Sequence, residues 1–138
     1  MKPVVVDSSV TVNWINQIDE ELLDKADKLL GDAQAGEVSL IAPELSKYEI
    51  GNALLKKKLD LSMAYESLGT VYQLPMTFIP ETEELAEQTY KIAAKSGITY
   101  YDASFVALAQ QEEASLVTEN IKHQGKPQGV KVTSLRDY

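Results

Sequence analysis

The chain has 138 residues, no cysteine, a single histidine and 44% hydrophobic residues, which suits one compact domain, 1–138, with a real core. Without cysteine there is no disulfide scaffold, thiolate zinc site, iron–sulfur cluster or cysteine nucleophile, and a lone His123 excludes zinc sites built on two or more histidines. Acidic residues number 21 against 13 Lys plus Arg, a net charge of −8, which argues against a general nucleic-acid coat but not against an enzyme meeting RNA at a small metal site.

The N-terminus, Met-Lys-Pro-Val-Val-Val-Asp, lacks the apolar stretch of a signal peptide, and no run approaches the roughly 18 apolar residues of a membrane span. A cytoplasmic protein with no membrane segment is expected. Pro3 to Asp7 reads as a short strand buried on both faces and ending in an acid. Ser8 to Asn16 looks helical. Asp19 to Ala35 places Leu22, Leu23, Ala26, Leu29, Leu30 and Ala33 three and four apart, an amphipathic helix stopped by Gly36. Val38 to Ala42 is a second strand, and Pro43 suits the first turn of a helix running to about Lys58.

Leu61 to Leu74 reads as a helix and Met76 to Ile79 as a third strand. Pro80 to Ser96 is helical with Gly97 as its stop, and Thr99 to Gln111 is helical again. Ser115 to Thr118 is a fourth strand, Gly125 to Gly129 a loop and Val130 to Thr133 a last short strand. Strands alternating with helices predict an α/β fold with a parallel sheet covered on both faces.

Ligands of such sheets bind beyond the carboxyl ends of the strands, where the strand order reverses. Asp7 closes the first strand and Glu119 follows the fourth, so parallel strands place both acids at one edge. Glu49 lies in the helix after the second strand, beside Leu45, Asn52 and Ala53, on a face where a carboxylate is costly unless paired or cation-bound. Asp102 lies in the first turn of the Thr99 helix on the side of Phe105, Val106 and Ala109. Each acid has a plainer reading: Asp7 as a helix N-cap, Asp102 as the capping-box partner of Thr99, Glu119 as a first-turn acid on a helix dipole. If the four converge, their repulsion calls for a cation, and oxygen-only ligands favour Mg2+ or Mn2+. Such an ion activates water and stabilises charge on a phosphate, so a metal-dependent phosphodiesterase is the natural expectation.

Four motifs follow in order: Val4-Val5-Val6-Asp7-Ser8-Ser9-Val10, Pro43-Glu44-Leu45 leading to Glu49-Ile50-Gly51-Asn52-Ala53-Leu54, Tyr101-Asp102-Ala103-Ser104-Phe105-Val106-Ala107-Leu108-Ala109, and Leu116-Val117-Thr118-Glu119-Asn120. As an ordered set they resemble the PIN-domain ribonucleases, especially VapC-like toxins of prokaryotic toxin–antitoxin pairs. The resemblance spans essentially the whole chain. It implies a PIN-like three-layer α/β/α sandwich with a mainly parallel central sheet, Mg2+- or Mn2+-dependent endoribonuclease activity, an antitoxin partner and a homodimer. It gives Asp7, Glu49 and Asp102 the core acid roles, with Ser9 and Asn52 in support. The fourth motif departs from the fullest pattern: Asn120 stands where many relatives have aspartate, and His123 and Gln124 where others carry an acid. Glu119 takes the fourth place as the acid close by; the alternative is a three-acid site, with Thr118 or Asn120 completing the shell through water.

Lys56, Lys57 and Lys58 are the one basic run, either the solvated end of a helix or a phosphate contact for RNA. Tyr65, Leu68 and Tyr72 share a helical face suited to a dimer or antitoxin contact. His123 reads as a surface residue rather than a general base. Two other functions compete: a PIN-like binding module whose fourth site has decayed, and a small nucleotidase, although the chain has no glycine-rich phosphate loop.

Overall fold

The computed structural model describes residues 1–15 and 20–138. Five parallel strands form one sheet in the order β3-β2-β1-β4-β5: β1 Lys2–Val6, β2 Val38–Pro43, β3 Met76–Ile79, β4 Ser115–Thr118 and β5 Val132–Ser134. Between them run α1 Ser8–Ile15, α2 Glu20–Gln34, α3 Ser46–Lys56, α4 Leu61–Gln73, α5 Glu83–Ser96, α6 Tyr100–Gln111 and α7 Ile121–Gln124, and Leu135–Asp137 closes the chain as a 3-10 turn. The expected ends of the first two helices at Asn16 and Asp19 lie outside the described residues. Among the described residues, no helix is long and apolar enough to cross a membrane.

The period of two in β1 divides the core. Val4 and Val6 face α1 and α2, packing with Val10, Trp14, Leu22, Ala26 and Leu29. Val5 faces the other side, against Phe105, Leu108 and Ala109 of α6 and Leu85 and Ile92 of α5. Both faces of the central strand are therefore buried, as a run of consecutive valines requires. The result is the three-layer α/β/α sandwich expected from the sequence. Trp14 satisfies its ring N–H by donating to the Ala26 carbonyl at 2.7 Å, which locks α1 onto α2. A smaller cluster of Ile50, Leu54 and Val71, with Leu68 and Phe78 against it, joins α3 to α4.

Several boundaries differ from the sequence reading, among them the last strand, which runs Val132–Ser134 rather than Val130 to Thr133. Pro43 ends β2, in register with Ile79, rather than opening a helix. Having no N–H, it leaves the next ladder bond to Glu44, whose N–H donates to the Ile79 carbonyl at 2.9 Å. Helix α3 therefore starts at Ser46, which puts Glu49 in its first turn. Helix α5 starts at Glu83, not Pro80, because the Thr82 hydroxyl caps it by accepting from the Leu85 N–H at 3.2 Å. Its end is the expected one: Gly97 takes φ +67 and donates to the Ala93 carbonyl, a left-handed cap that a side chain would strain. The four-residue α7 carried no periodic signal and falls in a stretch the sequence reading left without structure.

Candidate active site

The strand order reverses at β1: β2 and β3 lie to one side, β4 and β5 to the other. The crevice at the carboxyl ends of β1 and β4 is the place where open parallel sheets bind ligands. Asp7 is the residue immediately after β1 and is buried, at 7% exposure. It also caps α1, so its plain reading holds as well. One carboxylate oxygen, Oδ2, accepts from the Ser9 N–H at 3.1 Å and the Ser9 hydroxyl at 2.6 Å. The other, Oδ1, accepts from the side-chain amide of Gln124 at 3.0 Å. Donors on both oxygens fix the orientation of the group.

Glu49 reaches the same place from α3. Its Oε1 accepts from the Ser8 hydroxyl at 2.9 Å, and Ser8 and the fully buried Ser46 lie 2.8 Å apart through their hydroxyls. A hydroxyl has one proton, and that of Ser8 is committed to Glu49, so Ser46 donates to Ser8. The carboxyl of Glu49 is held above the usual carboxylate range. Burial is the largest cause; the charges of Asp7 and Asp102 add to it, and the Ser8 hydrogen bond opposes it. Asp7 and Asp102 therefore both lie close enough for their charges to bear on Glu49.

Asp102 comes from the first turn of α6, whose N-cap Thr99 accepts from the Asp102 N–H at 3.0 Å. The reciprocal bond of a capping box, from the Thr99 N–H to the Asp102 carboxylate, is not made, which leaves that carboxylate free for the pocket. Gln124 ties the acids together: the same amide nitrogen that meets Asp7 also donates to the Asp102 backbone carbonyl at 3.3 Å.

Glu119 does not join them in this arrangement. Its side-chain Oε1 accepts from the Leu135 N–H at 2.8 Å, binding the end of β4 to the C-terminal 3-10 turn. An unsatisfied helix N-terminus is a strong competitor for a carboxylate, and that contact turns Glu119 away. Its backbone N–H donates to the Ser9 hydroxyl at 3.2 Å, so Ser9 links the ends of β1 and β4. Thr118 is buried and accepts from the Asn120 N–H at 2.9 Å, shaping the turn into α7. Asn52 is exposed, one turn along α3 from Glu49. Lys56, Lys57 and Lys58 lie at the far end of α3, with Lys58 in a left-handed conformation. His123 is exposed.

Among the described residues, no three of His, Cys, Asp or Glu stand together as a ready-made cage for a metal ion. The acids are instead spaced by neutral donors, Ser8, Ser9 and Gln124, which bear on their oxygens. The donor set is oxygen throughout, the carboxylates of Asp7, Glu49 and Asp102. Such a set suits a hard divalent cation such as Mg2+ or Mn2+.

A model of the PIN domain matches residues 4–126. The chain belongs to the PIN domain family. No curated protein sequence matches it. This PIN domain is similar in structure to VapBC2 from Rickettsia felis bound to a DNA fragment from its promoter, at TM-score 0.71 and 17% identity over 96% of this chain and 98% of that one. It is similar to a toxin–antitoxin complex from Klebsiella pneumoniae, at TM-score 0.70 and 17% identity over 96% of this chain and 97% of that one. It is also similar to VapC20 of Mycobacterium tuberculosis, a sarcin–ricin loop cleaving toxin, at TM-score 0.65 and 14% identity over 91% of this chain and 98% of that one. At these identities the likeness is one of fold.

The sequence reading missed three members of the site, Ser8, Ser46 and Gln124. Ser8 had a usable signal in its position directly after the acid. Gln124 had one in the resemblance, which sets it where other relatives carry an acid, but a polar residue in a polar stretch carries no mark of burial.

Proposed function

We propose that this PIN domain is a metal-dependent endoribonuclease, the toxin of a toxin–antitoxin pair. The observation that carries the reading is the gathering of Asp7, Glu49 and Asp102, from three separate segments, at the switch point of the sheet. Membership of the PIN family supports it, and so does the kind of protein found among its structural neighbours.

Asp7, Glu49 and Asp102 would hold Mg2+ or Mn2+, which supplies activation of water and relief of charge on a phosphate in flight. The chain's own residues do the rest. Ser9 and Gln124 fix the direction of Asp7. Ser8, itself fed by Ser46, fixes Glu49. Glu49, whose negative charge is opposed by burial and by both other acids, is the group of this pocket best placed to take up a proton in the metal-free state. Lys56, Lys57 and Lys58 offer the RNA backbone its cations on an otherwise acidic chain. Exposed Tyr48, Leu55, Leu61, Met63, Tyr65 and Tyr72 on α3 and α4 give an antitoxin or a second copy of the chain an apolar surface. Leu68 does not belong to that surface, because it packs inward on Ile50, Leu54 and Val71.

The test is RNA cleavage by purified protein with and without Mg2+ or Mn2+. The wild type should cleave only with metal, and Asp7→Asn and Asp102→Asn should both fall to background. Cleavage retained in both variants refutes the assignment. Turnover of mononucleotides with intact RNA would favour the nucleotidase reading instead. The second reading, a binding module without activity, draws on Glu119 being held at Leu135 and on the absence of an acid at Asn120. It requires that no RNA is cut under any metal condition while a protein partner is still bound.

A further inference from the structure

Gln124 is fully buried at the end of α7, and its carboxamide points into the acid pocket. The orientation of that amide is fixed by chemistry. Its neighbours, Asp7 Oδ1 at 3.0 Å and the Asp102 carbonyl at 3.3 Å, are both acceptors, so the nitrogen must face them. The oxygen is then left buried with no partner. An orphaned acceptor is unfavourable, so the tie to Asp7 must outweigh it. The backbone is arranged for the same end. The Gln124 N–H donates to the Asn120 carbonyl and the Gly125 N–H to the Ile121 carbonyl, and a Cβ at Gly125 would stand 2.6 Å from that Ile121 oxygen.

We propose that Gln124 is the positioning residue of the acid pocket: a neutral carboxamide, rather than a fourth carboxylate, ties Asp7 to the start of α6 and holds both ready for the cation. The proposal rests on the metal-dependent reading given above. It explains how a pocket of three acids stays assembled on a chain whose Glu119 is engaged elsewhere. A carboxylate in the same place would set a second negative charge against Asp7, whereas the amide donates to it. Residues that orient a metal ligand commonly change affinity by tenfold or more when removed.

The experiment is calorimetric titration of the metal-free full chain with MnCl2, for wild type, Gln124→Met, Asp102→Asn and a core control, Leu108→Val. Gln124→Met should bind Mn2+ about tenfold more weakly than wild type. Leu108→Val, which loosens the buried face of α6, should lower the melting temperature and leave the Mn2+ affinity unchanged. An affinity for Gln124→Met within twofold of wild type overturns the proposal. Wild type that binds no Mn2+ sinks the metal reading itself. Binding that is lost in Asp102→Asn and kept in Gln124→Met overturns the role of Gln124 alone. A second variant covers a fold that fails with methionine: Gln124→Glu keeps the shape and adds a charge. It should lower the metal-free melting temperature at pH 7.5 by several degrees, and saturating Mn2+ should recover the loss. A loss that Mn2+ does not recover overturns the proposal.

Discussion

Glu49→Gln isolates the charge of the pocket from its shape. Glutamine keeps the volume and an oxygen to accept from Ser8 at the 2.9 Å position, so the main change is one negative charge. The carboxyl of Glu49 lies above its ordinary value of 4.5 chiefly because it is buried, and further because Asp7 and Asp102 face it. A raised value means that the folded chain binds more protons than the unfolded one, so metal-free stability falls as pH rises from 4.5 towards the folded value. Two unit charges about 8 Å apart at an effective dielectric near 20 repel by about 2 kcal/mol. Glu49 is only partly buried, and solvent screening brings the total from two neighbours to about 1–2 kcal/mol. For a chain of this size that is a rise of about 3–6 °C in Tm. Thermal unfolding in EDTA at pH 8 should therefore show Glu49→Gln more stable than wild type, with the gain fading as pH falls to 4. The same variant should lose the Mn2+-induced rise in Tm that mass action gives wild type. An unchanged or lower Tm at pH 8 in EDTA would mean that these acids do not share a pocket.

Ser9→Ala removes the 2.6 Å hydroxyl contact on Asp7 and the acceptor for the Glu119 N–H. Metal-dependent cleavage should fall about tenfold at limiting metal, and excess Mn2+ should restore most of it, measured as initial rate against metal concentration. Glu119→Gln keeps an oxygen for the Leu135 N–H, so its cleavage rate should stay within about threefold of wild type, whereas Glu119→Ala should lose about 1 kcal/mol of stability in urea unfolding. A loss in Glu119→Gln as deep as that of Asp102→Asn would put Glu119 among the catalytic acids. Replacing Lys56, Lys57 and Lys58 together by serine should weaken RNA binding and flatten the slope of log affinity against log salt by up to about 3, with cleavage at saturating RNA unchanged. Equal salt slopes would assign the run to the solvated end of α3.

The parts legible in the sequence are those that burial writes into composition. Val4, Val5 and Val6 announce a strand covered on both faces, and they have that environment. Asp7 and Asp102 were legible because each sits where a strand ends or a helix begins, and the topology brings those points together. Glu49 was legible as a carboxylate beside apolar neighbours, although its helix begins later than Pro43 suggested. Glu119 shows the limit of this reasoning. Its position at the end of β4 follows from the sequence, but the direction of its side chain is decided by the free N–H of Leu135, sixteen residues away. The position of Gln124 was marked by the resemblance, but its place in the pocket was hidden for a related reason. Its burial depends on the tight turn of α7 through Gly125 and on Asp7 over a hundred residues earlier, and neither leaves a local periodicity.

The most direct test is paramagnetic broadening of backbone amide signals by substoichiometric Mn2+ in the isotope-labelled protein. The account predicts that the first signals to vanish belong to Asp7, Ser8, Ser9, Glu49, Asp102 and Gln124, and that they survive in Asp7→Asn at the same ion concentration. Broadening centred on another acidic stretch, such as Glu81 to Glu84 at the start of α5, or no broadening at all, would contradict it.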